Sequence, residues 1–432
     1  MSAIERLFRF EKHGTTLSRE IIAGLTTFTT MSYIVVVNPA ILSNAGIPPG
    51  PSFVATVVAA VFGCALMGLY ANRPFAIAPY MGENAFIAFT VCKQLGYKWQ
   101  TALAAIFIAG ALFVLRLREW VVEAVPVSLR YSFAVGIGLF LTFIGLNQTE
   151  IVTLGVPGAP VRPGHLASKA VLVAIAGFIL VAILVIRKIG GAILLGIIAT
   201  AIIAFLFHVA APPQHLLSLP PSLRPIFWQL DFRGALTWNA FPIVLTIFIM
   251  AFVDTMGTLI GLSARAGFLD KDGNLPQIER PMLTDALSTC VAAAAGTTTS
   301  GAYVESATGI ESGGRTGLTA LITAACFAVT LFFAPFVAAI PKQAYGPALI
   351  IVGLFMLEPI TRINFSDFSE SIPSFAVVTL VCFTFNIAVG ISAGFVLYPL
   401  CKLVAGQIRL VKPALYVLTL LSLLFFVFYP YG

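Results

Sequence analysis

Two carboxylates stand where an apolar chain has least use for them. Asp254 sits inside "IVLTIFIMAFVDTMGTLIGL", a run with no other charge. A carboxylate at the centre of a membrane helix costs about 2.5–3.5 kcal/mol on insertion scales. It therefore points to substrate or proton handling, or to a structural hydrogen bond with a neighbouring segment. Thr258 follows one turn later and shares its face. Glu305 lies in "GAYVESATGIESGGRTG", 301–317, together with Glu311 and Arg315. A buried carboxylate can be neutral or ionised in the working range, so it can accept N–H donors from a planar heterocycle and also carry a proton. Glu311 reads as an interfacial ion-pair residue near Arg315, and Arg315 as the start of the next span. In "APYMGENAF", 78–86, Asn84 can give and take hydrogen bonds as a nucleobase edge would require. Phe86 or Tyr80 could stack on such a ligand or simply pack, and Glu83 is a further carboxylate whose direction the sequence does not set.

Other apparent motifs lead nowhere. "DKDGN" at 270–274 opens like a calcium loop but has Leu275 at the sixth position and Pro281 at the twelfth. "SGGRTG" lacks the ending of a phosphate loop. His13, His165, His208 and His215 are scattered, and Cys64, Cys92, Cys290, Cys326, Cys382 and Cys401 all fall in apolar segments without a CxxC. They read as small core residues. No metal, cofactor or nucleophile–base set is visible, so an enzyme is not expected. The net charge of +7 is spread rather than striped, which argues against nucleic acid as a partner.

The elements that must position these residues are membrane spans. Of the 432 residues 59% are hydrophobic and 10% charged, the composition of a polytopic membrane protein in contact with lipid. Candidate spans run over 23–42, 52–71, 74–91, 100–117, 130–147, 168–187, 190–211, 240–262, 281–296, 298–313, 316–340, 346–362, 372–404 and 412–429. The count is fourteen if 372–404 is one bent element; Gly390 and Gly394 interrupt it and allow two shorter helices instead. The polar interval 212–239 divides the chain into halves at 23–211 and 240–432, behind a cytoplasmic amphipathic lead at 1–22 with no signal-peptide pattern. Loops on the N-terminal side, with Arg73, Arg116, Arg118, Arg130 and Lys271 among them, carry about twice the Lys and Arg of those opposite, which places the N-terminus in the cytoplasm.

The halves repeat one another weakly. "TTMSYI" at 29–34 echoes "DTMGTLI" at 254–260, "APYMGENAF" echoes "GAYVESATG", and "VGIGLF" at 135–140 echoes "IVGLF" at 351–355. An odd number of spans per half makes the halves antiparallel, as in inverted-repeat transporters. Spans three and ten are rich in Gly, Pro and Thr, and broken backbone at membrane depth is tolerated only where it is buried or lines a cavity. Such a matched pair is the sequence pointer to a substrate site. The glycines around Glu305 are expected there because backbone must approach the substrate closely.

"AGLTTFTTMSYIVVVNPAIL", "APYMGENAF", "DTMGTLIGLSARAGFLDKDGNLP" and "YVESATGIESGGRTGLTA", in this order, resemble the nucleobase:cation symporter-2 (nucleobase–ascorbate) family in its hypoxanthine/guanine/adenine permease branch. The resemblance covers nearly the whole chain. It implies an all-α polytopic fold of about fourteen segments in two inverted repeats of seven, with core and gate domains and short strands in spans three and ten. It implies Asp254 for substrate binding and proton coupling, Glu305 for the base and for proton coupling, and Gly82 and Asn84 as the span-three element. Thr258 would stand where relatives of other specificity carry a histidine, and Phe86, Thr29 and Ser306 complete the expected substrate set. Tyr80, Glu83 and Ala251 depart from the family pattern, as do details of "TTTSGAY" and "GIESGG".

The expectation is a proton-coupled purine nucleobase importer of the plasma membrane, working by alternating access without a cofactor; a homodimer is a permitted assembly. The rivals are a same-fold carrier of xanthine, uracil or a small anion, and a non-transporting receptor.

Overall fold

A computed structural model of the protein describes residues 3–114, 125–156, 159–270 and 275–428. Arg116, Arg118, Lys271, most of the "DKDGN" turn and the end of the last expected span lie outside the described residues.

The first half begins with α1, Leu17–Met31, whose first turn is capped by the Thr16 hydroxyl accepting from Arg19 N–H (3.4 Å). The helix breaks at Ser32–Tyr33 and resumes over Ile34–Leu42. Then come α2 (Pro49–Leu66), strand β1 (Ile77–Pro79), α3 (Met81–Ala85, continued by a π-helical stretch over Phe86–Gln94) and α4 (Trp99–Val114). They are followed by α5 (Val127–Gln148), a hairpin of β2 (Val152–Val156) and β3 (Ala159–Pro163), α6 (Lys169–Ile186) and α7 (Ala192–Leu206). The second half repeats the order: α8 (Phe241–Ala266), α9 (Glu279–Ala295), β4 (Ser300–Ala302), α10 (Ser306–Glu311), α11 (Gly317–Thr330), α12 (Lys342–Phe355), α13 (Phe368–Phe383) and α14 (Ile387–Val404). A last apolar helix, α15 (Pro413–Phe428), packs on α14 outside that sevenfold order.

Eight helices among the described residues are long and apolar enough to cross a membrane, and four are shorter. Helices this apolar gain little by leaving lipid, so close packing and polar contacts must hold them together. Two groups result. Helices α1, α2, α4, α8, α9 and α11 gather around β1 and β4, whereas α5, α6, α7, α12, α13 and α14 pack on each other. This is the arrangement of two inverted seven-span repeats divided into a core and a gate.

The segment 372–404 is two helices, and its glycines are not the break. The chain turns at Phe385, which has φ of 57°, and the Asn386 side chain caps α14 by accepting from Val389 N–H (3.2 Å). Gly390 and Gly394 lie inside α14, where a β-carbon would come within 2.3 Å of Val381 and 2.5 Å of Val377 on α13. They allow two helices to approach closely. The β2–β3 hairpin is a second departure: "IVTLGV" and "APVRP" pair in a loop where no strand is expected from the sequence.

Polar groups tie the elements together. Glu20 of α1 is fully buried and accepts from the backbone N–H of Arg315, Thr316 and Thr319 and from the Thr319 hydroxyl, satisfying the open start of α11. In the gate, Lys402 is only 2% exposed, 2.6 Å from Glu370, which also accepts from Tyr398 and Ser128 hydroxyls. The interval between the halves docks on α4 through Asp231, which accepts from the Thr101 hydroxyl (2.8 Å) and Gly234 N–H (3.0 Å); these bonds hold its carboxyl below the ordinary aspartate range.

Candidate functional site

The two broken spans meet. β1 and β4 pair antiparallel with Ile77 opposite Ala302, Ala78 opposite Gly301 and Pro79 opposite Ser300, all buried. The pairing extends outward through Tyr80 N–H to Thr299 O and Tyr303 N–H to Ala76 O, both 2.9 Å. Each strand leads into a short helix, α3 or α10, so the backbone groups that the break leaves open are satisfied by the partner half. Cys64 of α2 contributes too: its sulfur exchanges hydrogen bonds with Ile77 N–H and Ile77 O. Gly301 has no side chain because a β-carbon there would lie 2.2 Å from the Tyr80 hydroxyl. Gly309 packs on Thr27 and the backbone of Ala23. These glycines permit contacts within the protein, a different reason from the close approach to substrate expected of them.

Glu305 stands half-buried at the start of α10 and accepts a 2.6 Å hydrogen bond on Oε1 from the Tyr33 hydroxyl. Tyr33 is placed by the break between α1 and Ile34–Leu42, which is the "TTMSYI" stretch. Ser306 is fully buried, and its hydroxyl oxygen accepts from Ala76 N–H (2.9 Å), so it closes the strand crossing. Asn84 is also fully buried. Its Oδ1 accepts from the Thr298 hydroxyl, while its Nδ2 meets no partner among the described residues. Asn38 helps to hold the Thr297 side by donating to Thr56 and Thr297 hydroxyls at 2.7 and 2.9 Å.

Asp254 is half-buried near the middle of α8, within electrostatic reach of Glu83 and Tyr80. Thr258 lies one turn further along the same helix, also half-buried. Gly82 faces the gate, where a β-carbon would come within 2.8 Å of Ile137 on α5. Phe86 has no exposed surface and belongs to the hydrophobic core. Tyr80 and Tyr303 stack on each other instead, with centroids 6.2 Å apart and rings 5° from parallel. Thr29 lies apart from the crossing: its hydroxyl donates to Thr26 O (2.9 Å) and it faces Gly191 at the head of α7. Its neighbour Thr30 is the residue that reaches α10, through Thr308 (3.1 Å). Glu311 pairs with Arg265 of α8 at 2.8 Å, and the Arg315 guanidinium donates to the backbone carbonyls of Ile310 and Gly314.

Two further residues at the crossing are not singled out by the sequence. Tyr33 looks like any aromatic in an apolar span. Asp285 of α9 is buried, accepts from Ala302 N–H (3.1 Å) and interacts with the Thr255 and Tyr80 hydroxyls. Its flanking "MLTDALSTC" is polar enough to hide one more carboxylate, although an acid in the middle of a span is itself the signal that could have found it.

Residues 18–405 match the model described as "Permease family", that of the xanthine and uracil permeases. The chain belongs to the nucleobase:cation symporter-2 family. Adenine permease AdeP of Escherichia coli is 37% identical over 98% of this chain and 96% of its own. Guanine/hypoxanthine permease PbuO of Bacillus subtilis is 39% identical over 96% of this chain and 98% of its own. Among solved structures, the transmembrane domain of the cyanobacterial bicarbonate transporter BicA superposes with a TM-score of 0.63 at 17% identity, covering 88% of this chain and 97% of that one. That likeness concerns the fold alone. A symporter-2 protein is a multi-pass membrane transporter and not an enzyme.

Proposed function

We propose that the protein imports purine nucleobases, adenine or hypoxanthine and guanine, across the plasma membrane together with protons, its N-terminus in the cytoplasm. The observation that carries this reading is the carboxylate of Glu305 at the strand crossing, half-buried and held by Tyr33. Such a group accepts N–H donors from a planar base, and the free Asn84 Nδ2 can donate to a ring nitrogen or carbonyl. Relatives named as adenine and guanine/hypoxanthine permeases, similar along almost their whole lengths, support the purine class. Asp254 loads the proton from outside, the base then binds between α3, α8 and α10, and movement of the gate past the core exposes the site inward. Ser306, Phe86 and Thr29 support this site rather than line it, Gly82 sets the core–gate contact, and Thr258 shapes the α8 side.

A small-anion carrier is disfavoured by acidic residues in both broken spans, which repel an anion. The test is a thermal-shift panel on purified protein with adenine, hypoxanthine, guanine, xanthine, uracil, sulfate and bicarbonate. Stabilisation by a purine, lost in Glu305→Gln, is expected. Stabilisation by sulfate or bicarbonate with none by any base would overturn the reading.

A further inference from the structure

Glu83 is a departure from the family pattern that the function above leaves unused. Its side chain is fully buried, and neither carboxylate oxygen meets a hydrogen-bond partner among the described residues. Among the described residues, the elements packed against α3 supply no cation to it. Segment Ile34–Leu42 carries no titratable side chain, and α5 carries Arg130 and Tyr131 in its first turn, about two turns from Ile137 where it meets Gly82. On α8, Arg265 is about three turns beyond Asp254 and is paired with Glu311. Helix α8 packs on α3, and the carboxylate of Asp254 and the phenols of Tyr80 and Tyr303 lie within electrostatic reach of Glu83.

Two carboxylates within electrostatic reach of each other in a low-dielectric interior disfavour a doubly ionised state when no cation lies between them. Ionised carboxylates are also acceptors only, so two of them cannot satisfy one another. A proton on either supplies the missing donor. We propose that Glu83 and Asp254 form one proton-holding unit, in which the coupling proton is shared between a sealed carboxyl and a half-exposed one. Glu83 is the sealed member and Asp254 exchanges the proton. This rests on the proton-coupled reading above and deepens it: the coupling site is a pair, and Glu83 is what makes it one. A hard metal ion would require several further oxygen ligands, and among the described residues no cluster of three or more metal-binding side chains is present.

The test is uptake of labelled adenine or hypoxanthine by protein in liposomes, measured across external pH for wild type, Glu83→Gln, Glu83→Asp, Asp254→Asn and the double Glu83→Gln/Asp254→Asn variant, each checked for folding by thermal unfolding. Glu83→Gln is expected to move the midpoint of the pH profile by about one pH unit, the scale of a lost neighbouring charge, while Glu83→Asp keeps the wild-type midpoint. The double variant is expected to match Asp254→Asn, because without the exchanging carboxyl of Asp254 the state of Glu83 no longer matters. A pH-dependent wild type with an unshifted Glu83→Gln profile would overturn the pair and leave the proton-coupled reading standing. A wild type indifferent to pH, or driven by a sodium gradient instead, would overturn both.

Discussion

Tyr33 and Glu305 form the contact on which substrate binding should depend most sharply. The 2.6 Å bond fixes the carboxylate at the strand crossing, and its donor comes from the other half of the protein. A hydrogen bond to a charged group contributes about 1.5–3 kcal/mol. Tyr33→Phe, which keeps the ring and removes the donor, should therefore weaken purine binding by about tenfold or more, read by calorimetry; unchanged affinity would mean that Glu305 is positioned by other groups. Asp254 and Glu305 were legible in the sequence because a lone carboxylate in an apolar span is expensive. Tyr33 was not, since nothing distinguishes it among 36 phenylalanines and 11 tyrosines until the break at Ser32–Tyr33 turns it inward. Thr29 and Thr30 make the same point more finely. The sequence singled out the first, and the helix places the second against α10.

At the scale of elements, the matched Gly- and Thr-rich spans were readable as broken segments because helix propensity fails in both halves at the same place, and the family resemblance supplied the strands. Their register was not, since three residues a side carry no hydrophobic alternation to fix it. The split of 372–404 was open in the sequence for a related reason: Gly390 and Gly394 suggest a break, yet the turn is made by Phe385 and Asn386. The buried Lys402 was missed because it looks like one more basic residue near the C-terminus. Three hydroxyls and two carboxylates surround it or its partner Glu370. Removing one member of a buried pair leaves the other uncompensated, at a cost of about 3–5 kcal/mol, whereas removing both is far milder. Lys402→Met should accordingly lower the thermal midpoint of the purified protein markedly, and adding Glu370→Gln should recover part of the loss. Equal stability of the single variant and wild type would contradict a structural role for the pair.

For the whole molecule, the proposed alternating access requires the core to move against the gate, and Gly82 lies at that boundary. A side chain there meets Ile137 within 2.8 Å. Gly82→Val should trap the protein, abolishing uptake while binding is retained, and Ile137→Ala should restore part of the uptake by removing the obstruction. If the double variant stays inactive with intact folding, the contact is not the moving surface.

The central claim is that Asp254 couples purine movement to protons through the crossing. The most direct measurement is accumulation of labelled adenine and hypoxanthine in liposomes containing the purified protein, under an imposed pH gradient, with Asp254→Asn alongside. The account predicts purine accumulation that collapses when the gradient is dissipated and is absent in Asp254→Asn. Undiminished gradient-driven accumulation by Asp254→Asn would contradict it.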